Sequence, residues 1–358
     1  MIPYDSILWR SDLEVAIKHF SLFDVLDKKS LLVTGASGLI CSGIIDILIF
    51  YNETQKANIT IFAAGRSKER IQARFGEYFS REYFHFVPYD ATDYKPLCLP
   101  NQIDYIIHGA GISMPDKYVK EPVETMSSNI LGLLSLFHLA RKNETQRILY
   151  ISSSEVYGKK NKDDISPFSE DSYGFIDCLN PRNSYPIAKS AAEAMCVACT
   201  NEYGIESTIV RPGHIYGPTA SPQDTRVSAM WSYAAAHGND IVMKSDGAQI
   251  RSYCYCLDCA TAILTVLIKG KNKEAYNISN KNSVITIREL GELISEIAGV
   301  KLVREAATSE DKKAFNPMDN SSLASPKLEK LGWEGLFDAR TGIEHTIKIL
   351  KDIADDEQ

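Results

Sequence analysis

Twenty residues near the start, 30–49, restrict this chain more than any others. Ser30-Leu31-Leu32-Val33 is a short apolar run that reads as a buried strand. It passes directly into Thr34-Gly35-Ala36-Ser37-Gly38-Leu39-Ile40-Cys41, and residues 42–49 then carry apolar side chains at helical spacing. A strand, a glycine-rich turn and a helix in that order form the dinucleotide-binding fingerprint. The glycines let backbone approach a pyrophosphate, and the helix N-terminus offers unpaired N–H groups and the positive end of a dipole. Cys41 stands where the pattern has its third glycine, so its thiol should face the helix–strand contact.

The same alternation continues downstream. Strands are predicted over 58–63, 83–87, 104–107 and 147–151, with a long helix over 121–141. Strands separated by helices at this spacing imply an α/β fold, a Rossmann-type doubly wound parallel sheet whose ligands sit at the carboxyl ends of its strands. We divide the chain into an N-terminal extension (1–29), a dinucleotide-binding domain (30–211) and a smaller C-terminal α/β domain (212–358) that mainly holds the substrate. In the extension, Ser11-Asp12-Leu13-Glu14 resembles a capping box opening a helix that runs to Phe20. Residues 306–320 are polar enough for a long loop.

Composition narrows the function. A net charge of -7 provides no basic field for nucleic acid or anionic lipid, and no apolar run approaches bilayer length. Asp5, Asp12 and Glu14 lie where a signal peptide would be cationic and then apolar, so a cytoplasmic location is expected. The eight cysteines lack paired CxxC spacing and read as reduced packing residues, with no metal site.

Chemistry is carried by Tyr185 and Lys189, four residues apart at the start of a predicted helix. Positions i and i+4 share a face, so the ammonium can favour the ionised phenol and make it a usable base. About thirty residues upstream lies the serine-rich stretch Ser152-Ser153-Ser154-Glu155-Val156-Tyr157-Gly158.

With the glycine turn, the SSSEVYG and PRNSYPIAK segments and the late SSLASPKLEKLGW stretch, residues 30–350 resemble the extended short-chain dehydrogenase/reductase family of nucleotide-sugar epimerases, dehydratases and decarboxylases. Together with ISMPDKYVKEPVET and DGAQIRSYCYCLD, they most resemble UDP-glucuronate decarboxylases. The resemblance implies catalytic roles for Ser153, Glu155, Tyr185 and Lys189. It implies nicotinamide-dinucleotide contacts at Gly35, Ser37, Gly38, Ile40, Arg66, Asp90, Gly109, Ala110 and Asn129, as well as at Tyr185 and Lys189. Substrate contacts are implied at Ser153, Arg226, Arg251 and Tyr253, and at His214, which replaces an Asn that the decarboxylases have near the diphosphate. The cofactor is NAD or NADP, tightly bound and recycled; Arg66, in place of the usual acid, leans toward a 2′-phosphate.

The implied reaction is oxidation of a nucleotide-linked hexose at C4 to a transient 4-ketone. Decarboxylation of a UDP-glucuronate or 4,6-dehydration would follow, with 4-epimerisation, 4-ketoreduction or a silent dinucleotide-sensing protein as alternatives. The family's usual homodimer, a four-helix bundle, would use the 121–141 helix and the one running on from Tyr185. Ala188, Ser190, Ala191, Ala192 and Ala194 are small enough for close approach there or for a contact within the chain.

Overall fold

The computed structural model describes residues 2–20, 23–95, 97–99, 102–161, 164–309, 315–316 and 318–356. Its strands in chain order are β1 (Ser30–Thr34), β2 (Thr60–Gly65), β3 (Phe84–Pro88), β4 (Tyr105–His108), β5 (Arg147–Ile151), β6 (Glu206–Pro212), β7 (His214–Tyr216), β8 (Ile241–Met243), β9 (Ile250–Tyr255), β10 (Ala275–Ile278), β11 (Val284–Thr286) and β12 (Leu302–Arg304). Seven of them make one sheet in the order β10-β6-β5-β4-β1-β2-β3, every pair parallel. All five residues of β1 and all four of β4 are buried, as expected for strands covered by helices on both faces.

The direction of winding reverses between β1 and β4, which pair in the register Val33↔Ile107 and Thr34↔His108. That reversal opens a crevice at their carboxyl ends, where a doubly wound sheet takes its ligand. The glycine turn, Gly109 and the serine stretch after β5 all emerge on this side. β10 joins the outer edge beyond β6, so the large sheet also takes a strand from beyond residue 211. Two small sheets, β11-β9-β7 and β12-β8, build the other wall of the crevice.

The N-terminal helix differs from the sequence reading. It begins at Ile7, with Ser6 at its cap, and runs to His19, so Ser11 and Asp12 lie inside it. Asp12 is buried: its carboxylate accepts the Tyr255 hydroxyl at 2.9 Å and lies 2.8 Å from His345 Nδ1. One turn earlier, the Trp9 indole donates to Asp46, which also takes two bonds from Arg74. Tertiary partners outweighed the local capping pattern, and the extension ties the fingerprint helix (Leu39–Gln55) to the C-terminal helix (Ala339–Asp356).

All eight cysteines are free and six are buried. Cys254 lies on β9, but Cys256 opens the helix Cys256–Lys269 rather than continuing the strand. Among the described residues no helix is long and apolar enough to cross a membrane, and no cluster of His, Cys, Asp and Glu is arranged to hold a metal.

Candidate active site

Gly35 has φ +71°, and a Cβ there would lie 2.9 Å from the Gly109 carbonyl oxygen and 3.0 Å from the Ala110 nitrogen. Only glycine lets the two strand ends come this close. Thr34 fastens them: its hydroxyl accepts the Gly109 and Ala110 N–H groups, both at 3.2 Å. Gly38 caps the fingerprint helix with extended backbone and no side-chain oxygen, which leaves first-turn N–H groups to an incoming anion. Ser37 and Ile40 flank this cradle, half-exposed. The cradle therefore has the shape and polarity that a pyrophosphate requires.

Cys41 is buried, and its sulfur fills the space a Cβ on Gly109 would need, 2.3 Å away. Burial pushes its thiol up to about 12. Arg66 and Asp90 are exposed at the ends of β2 and β3. Burial raises the Asp90 carboxyl, but hydrogen bonds from the Thr92 backbone and hydroxyl and the charge of Arg66 outweigh it, so the group sits below its ordinary value. Asn129 is fully buried, donates to the Thr125 carbonyl at 2.8 Å and accepts the Tyr150 hydroxyl at 2.7 Å.

Ser153 follows β5 and caps the short turn Ser154–Tyr157 by accepting the Glu155 N–H at 3.2 Å. It lies near the phenol of Tyr185, which the helix Ser184–Tyr203 presents on the same face as Lys189, and favours that phenol's ionisation. The Lys189 ammonium donates to the Ile151 carbonyl at 2.7 Å and lies 5.8 Å from the Tyr185 ring centre. Burial pulls Lys189 down to about 7, against Glu193. Burial also pushes Tyr185 up to about 12; Ser153 opposes this, Glu155 adds to it and Arg226 opposes it. The sequence reading gave the lowering of the phenol to Lys189. In the structure the ammonium donates to a carbonyl 2.7 Å away and stays 5.8 Å from the ring centre, and Ser153 and Arg226 act on the phenol in the same lowering direction.

Glu155 is gripped through both oxygens by Arg182, at 3.2 and 3.3 Å, and accepts the Asn316 amide at 3.3 Å. Arg182 also reaches the Tyr118 hydroxyl at 3.4 Å, and Tyr118 stacks on Tyr185 with ring centres 5.0 Å apart and planes 11° apart. Beyond this cluster opens a cleft of ≈ 750 Å³. Arg226 enters it while paired with Asp224. Arg251 bonds only carbonyl oxygens among the described residues, those of Ile250 at 2.9 Å and Asp319 at 3.5 Å. His214 and Tyr253 sit side by side on β7 and β9, ring centres 5.7 Å apart. The His214 Nδ1 is buried without a partner among the described residues, and burial, then Arg251 and Arg226, pulls the imidazole down to about 3.

Residues 31–279, which carry the turn, the serine–tyrosine–lysine cluster and all these arginines, match the NAD dependent epimerase/dehydratase family. The chain belongs to that family. It is 27% identical to UDP-glucuronic acid decarboxylase 1 of Xenopus tropicalis over 90% of this chain and 72% of that one. It is 29% identical to UDP-glucuronic acid decarboxylase 3 of Arabidopsis thaliana over 87% and 86%. In fold it is similar to a Bacillus cereus UDP-glucuronic acid 4-epimerase solved with UDP-glucuronic acid and NAD (TM-score 0.73, 20% identity, 90% and 99% covered). A dTDP-glucose 4,6-dehydratase from Streptomyces venezuelae is similar in the same way (TM-score 0.75, 22% identity, 90% and 97% covered).

Within this epimerase/dehydratase chain, Ser153, Glu155 and Tyr185 line the cleft together with His214, Arg226, Arg251 and Tyr253, while Lys189 is buried behind them, bonded to the Ile151 carbonyl. Asn129 lies deeper, with its amide engaged by the protein. The sequence reading missed Tyr118, Arg182 and Asp224. Arg182 had a signal, since it lies three residues before Tyr185, one helical turn from the base. Tyr118 lies inside the ISMPDKYVKEPVET segment and is distinguished only by its stacking.

Proposed function

We propose that this protein oxidises C4 of a nucleotide-linked hexose to a transient 4-ketone, with a uronic acid as the sugar and loss of its carboxylate as the following step. A nicotinamide dinucleotide, when bound, would accept the C4 hydride and return it. Gly35, Ser37, Gly38 and Ile40 would hold its pyrophosphate, Arg66 and Asp90 its adenosine end, and Tyr185 and Lys189 its nicotinamide end. Arg66 inclines the choice toward NADP.

One observation carries the reading: Ser153 and Tyr185 line the same cleft, the serine close enough to ease the phenol's ionisation, with Lys189 buried behind them. Tyr185 would take the proton of the C4 hydroxyl while Ser153 holds the same oxygen. Lys189 would keep the phenol oriented and, when protonated, stabilise the phenolate. Arg226, Arg251 and Tyr253 would hold the diphosphate, with His214 as an uncharged hydrogen-bonding group beside it.

Two observations favour decarboxylation over dehydration. A 4-ketone turns a C5 carboxylate into a β-keto acid that loses carbon dioxide without a base, whereas 4,6-dehydration needs a base at C5. Glu155, with both oxygens taken by Arg182, is poorly placed to be that base. The Xenopus and Arabidopsis relatives are decarboxylases by name. We further infer a homodimer through the Pro122–Asn143 and Ser184–Tyr203 helices, and a cytoplasmic location in keeping with eight free thiols.

The test supplies purified protein and NAD or NADP with UDP-glucuronate, UDP-glucose and dTDP-glucose, and weighs the products. Loss of carbon dioxide from UDP-glucuronate without net cofactor reduction is expected. Loss of water, unchanged mass or gain of two hydrogens would assign dehydration, epimerisation or ketoreduction instead. Binding without conversion would leave a dinucleotide-sensing protein.

A further inference from the structure

Arg182 is the most heavily engaged side chain at the cleft that has no role in the chemistry above. It sits on the turn Pro181–Asn183, immediately before the helix that begins with Ser184 and Tyr185. Its side chain is 11% exposed, and its Nε is buried without a partner among the described residues. The two terminal nitrogens fork onto the two oxygens of Glu155, and the guanidinium carbon lies 5.8 Å from the centre of the Tyr118 ring. A bidentate guanidinium–carboxylate pair fixes direction as well as charge, which lysine at the same place would not reproduce.

The groups facing the Tyr185 phenol are Ser153 and Glu155 from the turn after β5, Tyr150 on β5, Tyr118 stacked on its ring, Lys189 on its own helix and Arg226 across the cleft. Among the described residues Glu155 is the one carboxylate in this set. An unpaired negative charge there would oppose a second negative charge on the phenolate, and would also oppose a substrate carboxylate entering beside it.

We propose that Arg182 is a positioning residue for this reaction: it neutralises Glu155, fixes it against the cleft wall and so shields Tyr185 from that carboxylate's charge. The inference rests on the reading that Tyr185 is the base. It makes the Tyr118–Arg182–Glu155 chain a support for the phenol, and it accounts for a carboxylate placed next to a group that must itself become an anion. No proton passes through Arg182.

The test is the pH dependence of kcat/KM for UDP-glucuronate in holoenzyme, with folding of each variant checked by near-ultraviolet circular dichroism. In Arg182→Gln the acid limb, which reports deprotonation of the base, should move upward by roughly half to one pH unit, as expected for an unshielded carboxylate. Arg182→Lys should keep the limb near its wild-type position while lowering kcat. The double variant Arg182→Gln/Glu155→Gln should bring the limb back. If Arg182→Gln does not fold, Glu155→Gln alone decides, because an unopposed guanidinium should then move the limb downward. A limb that stays in place in folded Arg182→Gln, that fails to return in the double variant, or that does not move in Glu155→Gln overturns the proposal. Wild type that converts no nucleotide sugar would remove the reading beneath it; active wild type with an unmoved limb removes only the role of Arg182.

Discussion

Lys189 carries the sharpest consequence of a single side chain. An ammonium buried beneath the sheet, with one carbonyl partner at 2.7 Å, is held down to about 7 chiefly by loss of water. A base whose folded value lies below its unfolded one binds fewer protons when folded, so its contribution to stability grows as pH rises from about 7 to the ordinary lysine range and is lost as pH falls through about 7. Lys189→Met removes that dependence. Its urea midpoint should exceed that of wild type at pH 6, and the gap should close toward pH 9. Activity should fall by roughly 10²- to 10⁴-fold at either pH, the range associated with loss of proton-transfer assistance. A gap that widens with pH would show that the ammonium is stabilised where it lies. The phenol 5.8 Å away makes the complementary point: burial leaves Tyr185 at about 12, so much of the lowering that a base at neutral pH requires must arrive with the ligands.

Elements differ in how plainly the sequence declares them. The strand–turn–helix of residues 30–55 was legible because its cause is local: an apolar strand, a glycine needed at positive φ, then helical spacing. Tyr185 and Lys189 were legible because a four-residue separation fixes a shared face. The N-terminal helix start was misread because Asp12, which looks like part of a cap, is claimed by Tyr255 and His345 hundreds of residues away. Arg182 and Glu155 meet across 27 residues of turn and loop, where no period constrains geometry. Cys41 shows the same limit at the contact between the fingerprint helix and the end of β4. Its departure from glycine is explained by a second glycine, Gly109, whose missing side chain makes room for the thiol. Gly109→Ala should therefore be destabilising by about 1–3 kcal/mol through overpacking. Cys41→Ala/Gly109→Ala should recover part of this, the rest being blocked by Ile151, whose Cδ1 would lie 3.1 Å from the new methyl. Chemical denaturation of both single variants and the double gives the coupling; strict additivity would mean that the sulfur and the glycine do not share one space.

At the scale of the molecule, the helices Pro122–Asn143 and Ser184–Tyr203 pack against each other on one side of the sheet and leave a common outer face. The alanines of the second helix divide cleanly. Ala188 and Ala192 are fully buried against the body of the chain, while Ala191, Ala194 and Ala198 are exposed at positions that share one helix face. On the first helix, Val123 and Met126 are 68% and 37% exposed and lie one turn apart. A second copy related by a two-fold axis would bury the same small-residue stripe and the same apolar side chains from each subunit, with helix axes about 8–10 Å apart. Light scattering after size exclusion should give twice the chain mass at micromolar concentration. Ala194→Arg, which places a long charged side chain where the axes would approach, should give the single-chain mass. A wild-type protein of single-chain mass, or an Ala194→Arg variant that remains at twice that mass, would place the contact elsewhere or abolish it.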